Sequence, residues 1–358
     1  MVIFARRGGI FCPLHKFDLN FTKSTMKNAN KVSRSFQHMI LLCGCLLIYY
    51  SVSARQHKPT ESGYIVQKTQ GIDSDYVLIF NSYSESAPWC RSLVDSTVMD
   101  LIKLSPQTMT VTQNLNSGLL RDEKALAQLR QQVDVSYHDK PRMIIYIGST
   151  SWPFLHETIE KKWGKVPSII FSDIDYTGPI TNLLRKTPIA PALRIPYDKI
   201  VKEYEGALSV VYMPIYLRQS LALMHQLTPP MTELCFISDT RWISAQMRAD
   251  MAAITKTDFP ELKVRYLISA DMSTLDLLDS LQHYGQETGV LFFSWLKQSQ
   301  VGDSFVNDSH FRIIISKSAR QPLFVLNDNE VNTDSDVLGG YFPTRAAVSH
   351  HVRLALEK

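Results

Sequence analysis

Short apolar runs alternate with longer amphipathic segments along most of the chain, and this alternation constrains the fold more than any other feature. Residues 76–80 are continuously apolar, as expected for a strand that is buried on both faces of a parallel sheet. The next segment, 88–104, has apolar residues at helical spacing. Repeated strand–helix units of this kind predict parallel sheets with right-handed crossovers and helices on both faces.

The alternation occurs in two series of similar size, which predicts an α/β protein with two Rossmann-like lobes joined by a hinge. The first series has predicted strands at 76–80, 109–111, 143–147, 168–171 and 208–212, and helices at 88–104, 122–133 and 154–163. The second has strands at 234–237, 263–268, 290–293 and 323–326, and helices at 217–227, 242–254, 275–284, 311–318 and 343–356. We assign residues 73–212 and 341–358 to lobe one and 213–340 to lobe two. Residues 174–206, rich in proline, are interpreted as a loop with one or two short strands at the sheet edge.

The N-terminal 54 residues have the pattern of a secretory leader. A basic stretch precedes an apolar run at 39–50, and small residues lead to Ala54, where a signal peptidase would cleave. At about 1.5 Å per residue this run is shorter than a bilayer core, so we favour a signal peptide over a permanent membrane anchor. Met26 is an alternative start, and residues 55–72 are predicted to form a polar linker. The expected location is periplasmic or otherwise extracytoplasmic.

The charge distribution gives no indication of nucleic-acid binding by the folded part. Residues 1–54 contain seven of the 38 basic residues but only one of the 34 acidic residues. The remainder is therefore slightly acidic, whereas nucleic-acid-binding domains are usually basic. Two cysteines, Cys90 and Cys235, follow the leader, and we interpret them as buried free thiols. No cysteine–histidine cluster with metal-ligand spacing occurs.

Polar and aromatic residues follow the predicted strands of both series. In parallel sheets these carboxyl ends line the ligand-binding crevice. The side chains combine hydroxyls, amides and carboxylates with aromatic rings, which suits a small polar ligand such as a sugar or an amino acid. The candidate binding residues are Ser82, Tyr83, Trp89, Ser149, Trp152, Asp173, Asp239, Trp242 and Asp328. As alternatives, the serine and aspartate residues would cap helices, and the tryptophans would pack helix starts against the sheets.

The common motifs of nucleotide, hydride-transfer and hydrolytic enzymes are absent from the sequence. It has no phosphate loop, no GxGxxG after a strand, no GxSxG elbow and no HExxH helix. We therefore expect a binding protein without cofactor or metal rather than an enzyme. An exported α/β enzyme is the alternative from another class.

The opening of the first series resembles a known family. Tyr76 to Tyr83, followed by Pro88-Trp89, is similar to the start of type I periplasmic-binding-protein-like domains related to ABC-transporter substrate-binding proteins. Such domains also form the extracytoplasmic sensor of bacterial histidine kinases. The Gly339-Gly340-Tyr341 segment resembles the family's closing turn after the last lobe-two strand.

The resemblance implies roles for the candidate residues. Ser82, Tyr83 and Trp89 would line the lobe-one side of a cleft, with Asp173 near it, and Asp239, Trp242 and Asp328 would face it from lobe two. The chain departs from the family after its third strand, where Ser149-Thr150-Ser151-Trp152 replaces an acidic or Thr-Asp pair.

The function implied is ligand sensing by lobe closure, as the sensory portion of a two-component histidine kinase system. The alternative is a soluble substrate-binding component of an ABC-type transporter. The expected partners are a small polar ligand and a membrane kinase or permease, with no nucleic acid, and the sensor role suggests a homodimer.

Overall fold

The computed structural model describes residues 2–4, 76–84, 87–228, 230–298, 305–306, 311–327, 336–343 and 345–357. The helices are α1 (Pro88–Leu104), α2 (Glu123–Ser136), α3 (Ser151–Trp163), α4 (Ile180–Arg185), α5 (Tyr197–Glu203), α6 (Leu217–Leu227), α7 (Trp242–Asp258), α8 (Thr274–His283), α9 (Phe311–Ser318) and α10 (Arg345–Leu356). Short 3-10 helices occur at Ser117–Leu119 and Pro191–Leu193. Apart from residues 2–4, the predicted leader and linker lie outside the described residues.

The strands form two main sheets and two small hairpins. They are β1 (Val2–Phe4), β2 (Tyr76–Asn81), β3 (Met109–Asn114), β4 (Met143–Ile147), β5 (Ser168–Ser172), β6 (Tyr176–Thr177), β7 (Ile195–Pro196), β8 (Leu208–Tyr212), β9 (Glu233–Ser238), β10 (Lys263–Ile268), β11 (Thr288–Phe292), β12 (Lys297–Gln298), β13 (Phe305–Val306), β14 (Leu323–Val325) and β15 (Val337–Tyr341). Strands β6 and β7 pair with each other, as do β12 and β13.

The two main sheets have the same strand order. The lobe-one sheet runs β3-β2-β4-β5-β8, with every neighbouring pair parallel. Five strands of the lobe-two sheet run in the order β10-β9-β11-β14-β15, and every neighbouring pair among these five is also parallel. Each sheet therefore has the doubly wound order 2-1-3-4-5, which places a topological switch point beside its first strand. The predicted α/β class with two parallel-sheet lobes is confirmed.

The central strands are buried because their sequences are apolar on both faces. Every residue of β2, β5 and β11 is buried, and so is every residue of β9 except Glu233. A helix that packs on a sheet turns its apolar side inward. In α2, for example, the buried residues Leu126, Leu129 and Val133 recur at helical spacing. One apolar cluster includes Leu78 of β2 and Leu234 of β9, so the core is continuous between the lobes.

Local sequence signals determine where several helices begin. Asp122 accepts a hydrogen bond from the Ala125 amide at 2.8 Å and caps α2. Ser273 and Asp276 form a capping box at the start of α8. Residues 311–318 form helix α9, as predicted.

Residues 174–206 are more helical than predicted. This segment contains α4, α5 and the β6–β7 hairpin, and that hairpin is separate from the lobe-one sheet rather than at its edge. The prediction of a mostly irregular loop is wrong because helices of six and seven residues are too short to show a period among prolines.

The segment Gly339-Gly340-Tyr341 is part of strand β15 rather than a closing turn. A Cβ atom at Gly340 would collide with the Val325 carbonyl oxygen of the neighbouring strand. Glycine is required here by the close approach of two backbones, so the expectation of a turn is wrong.

An additional strand was not predicted. Val2–Phe4 pairs antiparallel with β15 and becomes the sixth strand of the lobe-two sheet. At the other end of the chain, α10 packs against α1 and β8 of the lobe-one sheet. Among the described residues, no helix combines the length and apolar character needed to span a bilayer.

Candidate functional site

Side-chain hydrogen bonds connect the carboxyl end of β2 with the end of β3 and with the segment that follows β4. The Asn81 side chain donates to Asn114 Oδ1 at 2.8 Å and accepts from the Tyr83 amide at 3.2 Å. Ser82 Oγ accepts from the Ser151 amide at 2.9 Å. Ser82 therefore satisfies a free amide at the start of α3 from a neighbouring strand, since the α3 N-cap residue makes no side-chain cap. The Ser82 hydroxyl therefore has a structural role, and it also lies close to the topological switch point of the lobe-one sheet.

Gly148 allows the loop after β4 to approach Tyr83 closely. Its φ of 88° lies in the left-handed region, and a Cβ atom there would lie 2.8 Å from Ser82 Oγ and 2.9 Å from Tyr83 Cε2. A residue with a side chain would be strained in backbone and crowded in space. The next residue, Ser149, is 1% exposed, and its Oγ makes no hydrogen bond to the described residues.

Trp152 lies in the lobe-one interior rather than at an open surface. It is 7% exposed, stacks on His156 with ring centroids 3.9 Å apart and meets Tyr197 edge to face at 6.1 Å. These contacts agree with the alternative role of Trp152, in which it packs the start of a helix against the sheet. Direct ligand contact by Trp152 stays a prediction.

Asp173 follows β5 and is a buried carboxylate. Burial raises its pKa to about 7, and the Arg241 guanidinium opposes that shift. Burial, reinforced by the Asp173 charge, raises the pKa of Tyr83 and of the Cys90 thiol. Among the described residues, Asp173 makes no ion pair within 4 Å. A carboxyl group that titrates near neutrality in a buried crevice is typical of functional sites.

Asp239, after β9, is fully buried and saturated with internal donors. Its carboxylate accepts from the Arg241 amide and Nε, each at 2.9 Å. It also accepts from Ser244 Oγ at 2.6 Å and from Ser294 Oγ at 2.9 Å. This carboxylate holds the lobe-two strand ends and Arg241 in place, and direct ligand contact by Asp239 stays a prediction.

The two lobes meet at these strand ends. The Arg241 guanidinium of lobe two lies over the Tyr83 ring of lobe one, 5.0 Å from its centroid. Trp242 is 3% exposed, and its Nε1 donates to the Thr187 carbonyl at 3.1 Å. Predicted residues from both series are therefore brought to one buried interface.

A second set of contacts joins the segment between β5 and β8 to helix α7. Arg194 Nη2 donates to Asp250 Oδ1 at 3.0 Å, and Gln246 Nε2 donates to the same oxygen at 3.0 Å. Gln246 Oε1 accepts from the Ile189 amide at 2.8 Å. We call Ile189, Arg194, Gln246 and Asp250 the interlobe latch, because these polar bonds hold the lobes in contact.

Two predicted residues cannot be placed in the site. Trp89 belongs to α1, and nothing is described of its side chain. Asp328 lies outside the described residues. Sequence reasoning missed Arg241, Thr177 and Tyr197; the position of Arg241 between Asp239 and Trp242 was the one available signal.

The described cysteines and metal-ligand types have no special arrangement. Cys90 and Cys235 are free and buried, which confirms their interpretation as buried thiols. Within the described ranges no group of three or more histidine, cysteine, aspartate or glutamate residues could hold a metal ion.

No protein-family model matches the chain, and no curated protein gives a significant match. Solved structures similar to it include an ABC sugar transporter subunit from Rhodobacter sphaeroides, with 12% identity, a TM-score of 0.46 and coverage of 78% of this chain and 89% of that one. An extracellular ligand-binding receptor from Verminephrobacter eiseniae has 12% identity, a TM-score of 0.43 and coverage of 80% and 77%. An ABC domain from Streptococcus pneumonia, in complex with L-Trp, has 10% identity, a TM-score of 0.42 and coverage of 73% and 75%. The two-lobed α/β class of this chain is established by its own strand order, 2-1-3-4-5 in both sheets.

Proposed function

We propose that this chain is a ligand-binding module that encloses a small polar ligand between its two lobes and has no catalytic activity. The observation that carries the proposal is the meeting of both sets of strand ends at a buried interface that contains polar groups without internal partners. Ser149 Oγ, which makes no hydrogen bond to the described residues, is the main example. Buried polar groups are almost always hydrogen-bonded in folded proteins, so a ligand that supplies the missing partners explains them.

Lobe opening and closure would give the ligand access. The strand ends are covered by contacts from the opposite lobe, as in the Arg241–Tyr83 pair. A ligand that binds the closed arrangement better than the open one shifts the equilibrium toward closure by its difference in affinity. The interlobe latch would contribute to the closed state in both the free and the bound protein.

A thermal-shift screen of the full chain tests the proposal. The library contains sugars, amino acids, nucleosides and small anions. A ligand at about 100 times its dissociation constant adds roughly 2.7 kcal/mol of apparent stability. We expect a saturable shift for one chemical class, with the compound recovered unaltered by mass spectrometry. Consumption of the compound would instead support the enzyme alternative.

Two serine variants separate a ligand role from a structural role. Ser149→Ala removes a hydroxyl that makes no hydrogen bond to the described residues. It should therefore preserve stability while lowering affinity about tenfold, the value of one typical hydrogen bond. Ser168→Ala removes a hydroxyl that donates to the Val166 carbonyl at 2.8 Å. Ser168 is the first residue of β5, at the end of the strand away from the proposed site. The substitution should reduce stability and keep the affinity. Equal affinities in both variants would contradict the proposed site.

Two biological roles of the ligand-bound, closed state would agree with the predicted leader and an extracytoplasmic location. In our proposal the module is the sensory portion of a two-component histidine kinase system and acts as a homodimer. Delivery of a solute to an ABC-type permease is the alternative. Cross-linking of the ligand-bound full chain to a co-expressed kinase or permease from the same operon distinguishes the two roles. Capture of the permease alone would refute the sensor role.

A further inference from the structure

The outer strand of the lobe-one sheet, β3, lacks the features that normally protect the edge of a sheet. Among the described residues it pairs with β2 alone. Its six residues, Met-Thr-Val-Thr-Gln-Asn, include neither a charged side chain nor a proline. The unpaired backbone groups along such an edge are a template for pairing with another chain.

The other sheet edges in the described part of the chain are protected. In lobe two, one outer strand is β1, which has only three residues, and the other is β10, which carries the exposed charges of Lys263 and Arg265. In lobe one, helices α5 and α10 pack against the far outer strand, β8. Short length, charge and covering helices all oppose association between edges. The bare edge of β3 is therefore specific to this strand.

The backbone groups that β3 turns outward are complementary to themselves. The Leu115 amide donates to the Asn81 carbonyl of β2 at 2.8 Å. Successive residues of a strand direct their backbone groups to opposite sides, so the outward groups belong to Thr110, Thr112 and Asn114. A twofold axis at Thr112 places this residue opposite its own copy, and Thr110 opposite Asn114 of the second copy. Each opposed pair can exchange both of its backbone hydrogen bonds.

Exposed apolar side chains lie beside this edge. Of the eleven large apolar side chains described as exposed, four are in residues 99–109: Met99, Ile102, Leu104 and Met109, at 54%, 46%, 42% and 42%. The Thr108 amide donates to the Ser105 carbonyl at 3.0 Å in the turn between α1 and β3, so Leu104 and Met109 border the same end of the edge. Clustered apolar exposure of this kind marks an interaction surface.

We propose that β3 is the dimer interface of this chain, pairing antiparallel with β3 of a second copy about a twofold axis at Thr112. The interface belongs to the homodimer proposed above and does not depend on ligand binding. A twofold axis makes the same patch meet itself, and β3 brings no like charges into opposition. A stable interface buries roughly 1,200–2,000 Å², more than one strand pair provides, and the exposed apolar residues of α1 supply further area.

Opposite charges at Thr112 test the pairing. Thr112 is exposed, and the twofold axis would set two introduced lysines against each other. Thr112→Lys and Thr112→Glu should each raise the dimer dissociation constant roughly tenfold or more in sedimentation velocity of the full chain. An equal mixture of the two variants should form a heterodimer with near wild-type affinity. Thr257→Lys, the same change at an exposed position of α7, should leave the constant unchanged.

A cysteine at the same position tests the geometry. Opposed Cα atoms of a hydrogen-bonded antiparallel pair are about 5.5 Å apart, within the range of about 4.4–6.8 Å that a disulfide spans. Oxygen with copper phenanthroline should therefore join two Thr112→Cys chains, the two thiols being oxidised and oxygen reduced. Thr257→Cys should remain uncrosslinked on a non-reducing gel. The native Cys90 and Cys235 are buried, so neither supplies a competing thiol.

The outcomes separate this interface from the ligand-binding function. A wild-type chain that stays monomeric at high micromolar concentration would overturn the interface and the homodimer, while the thermal-shift screen would still report ligand binding. A dimer that persists equally in Thr112→Lys and Thr112→Glu would overturn the β3 assignment. Circular dichroism confirms that each variant is folded, and recovery in the mixture excludes misfolding as the cause of dissociation.

Discussion

Replacing Asp173 by asparagine should make the ligand-free protein more stable at neutral pH. Burial disfavours the charged form of the native carboxyl group and raises its pKa from the ordinary value of 3.8 to about 7. Between these two values the native state holds a proton that the unfolded state has released, so wild-type stability falls as pH rises through this window. The loss is about 1.4 kcal/mol per pH unit. Asparagine does not titrate, so the variant escapes this loss.

Urea unfolding of both proteins at pH 5, 6, 7 and 8 measures the effect. The advantage of Asp173→Asn over wild type should widen by roughly 2 kcal/mol between pH 5 and pH 7 and level off above pH 7. Asp175→Asn, at an exposed position, should follow the wild-type curve. Stability curves that run parallel for Asp173→Asn and wild type would show that the carboxyl group is not desolvated as described, and would refute the reasoning.

Three other changes have defined outcomes. Leu78 in β2 is 0% exposed, so Leu78→Ala should lower the free energy of unfolding in urea by about 2–5 kcal/mol. Leu275 is 76% exposed, so the control variant Leu275→Ala should change it by under about 0.5 kcal/mol. Gly148→Ala places a side chain at a φ of 88° and against Ser82 and Tyr83, so stability should fall by about 1–3 kcal/mol; wild-type stability would show that the loop can relax. Asp250→Asn weakens the interlobe latch, so small-angle scattering of the ligand-free variant should give a larger radius of gyration than that of the wild type. An unchanged radius would show that other contacts keep the lobes together.

The alternation of strands and helices was readable from sequence because it depends on local periodicity. The continuous apolar run of β2 and the helical spacing in α1 each reflect burial against neighbours on known faces. The Asp122 cap and the Ser273 capping box are also local signals. Helices α4 and α5 lack such a signal, since each is too short to show a period.

Strand pairing over long distances was less accessible. The role of Gly340 depends on the approach of the Val325 carbonyl from another strand, and the pairing of Val2–Phe4 with β15 joins opposite ends of the chain. Neither contact leaves a pattern in the local sequence.

For the site, sequence reasoning located the strand ends but not the hydrogen bonds within them. It placed Asp239 at the lobe-two side of the interface without revealing that Arg241, Ser244 and Ser294 occupy its oxygens. It gave Asp173 the same weight as its neighbours. That the Asp239 carboxylate is saturated by internal donors appears only when residues distant in sequence are brought together.

The shared strand order also makes the two halves comparable position by position. Ser82 is the first residue after the first strand of its sheet, and its Oγ binds Ser151, beyond the third strand. Asp239 is the first residue after β9, and its carboxylate binds Ser294, beyond the corresponding third strand, β11. Each lobe thus uses one side chain to tie the same two corners of its sheet. A substitution studied in one lobe therefore has a natural counterpart in the other, and the pair together reports on which lobe sets the rigidity of the whole molecule.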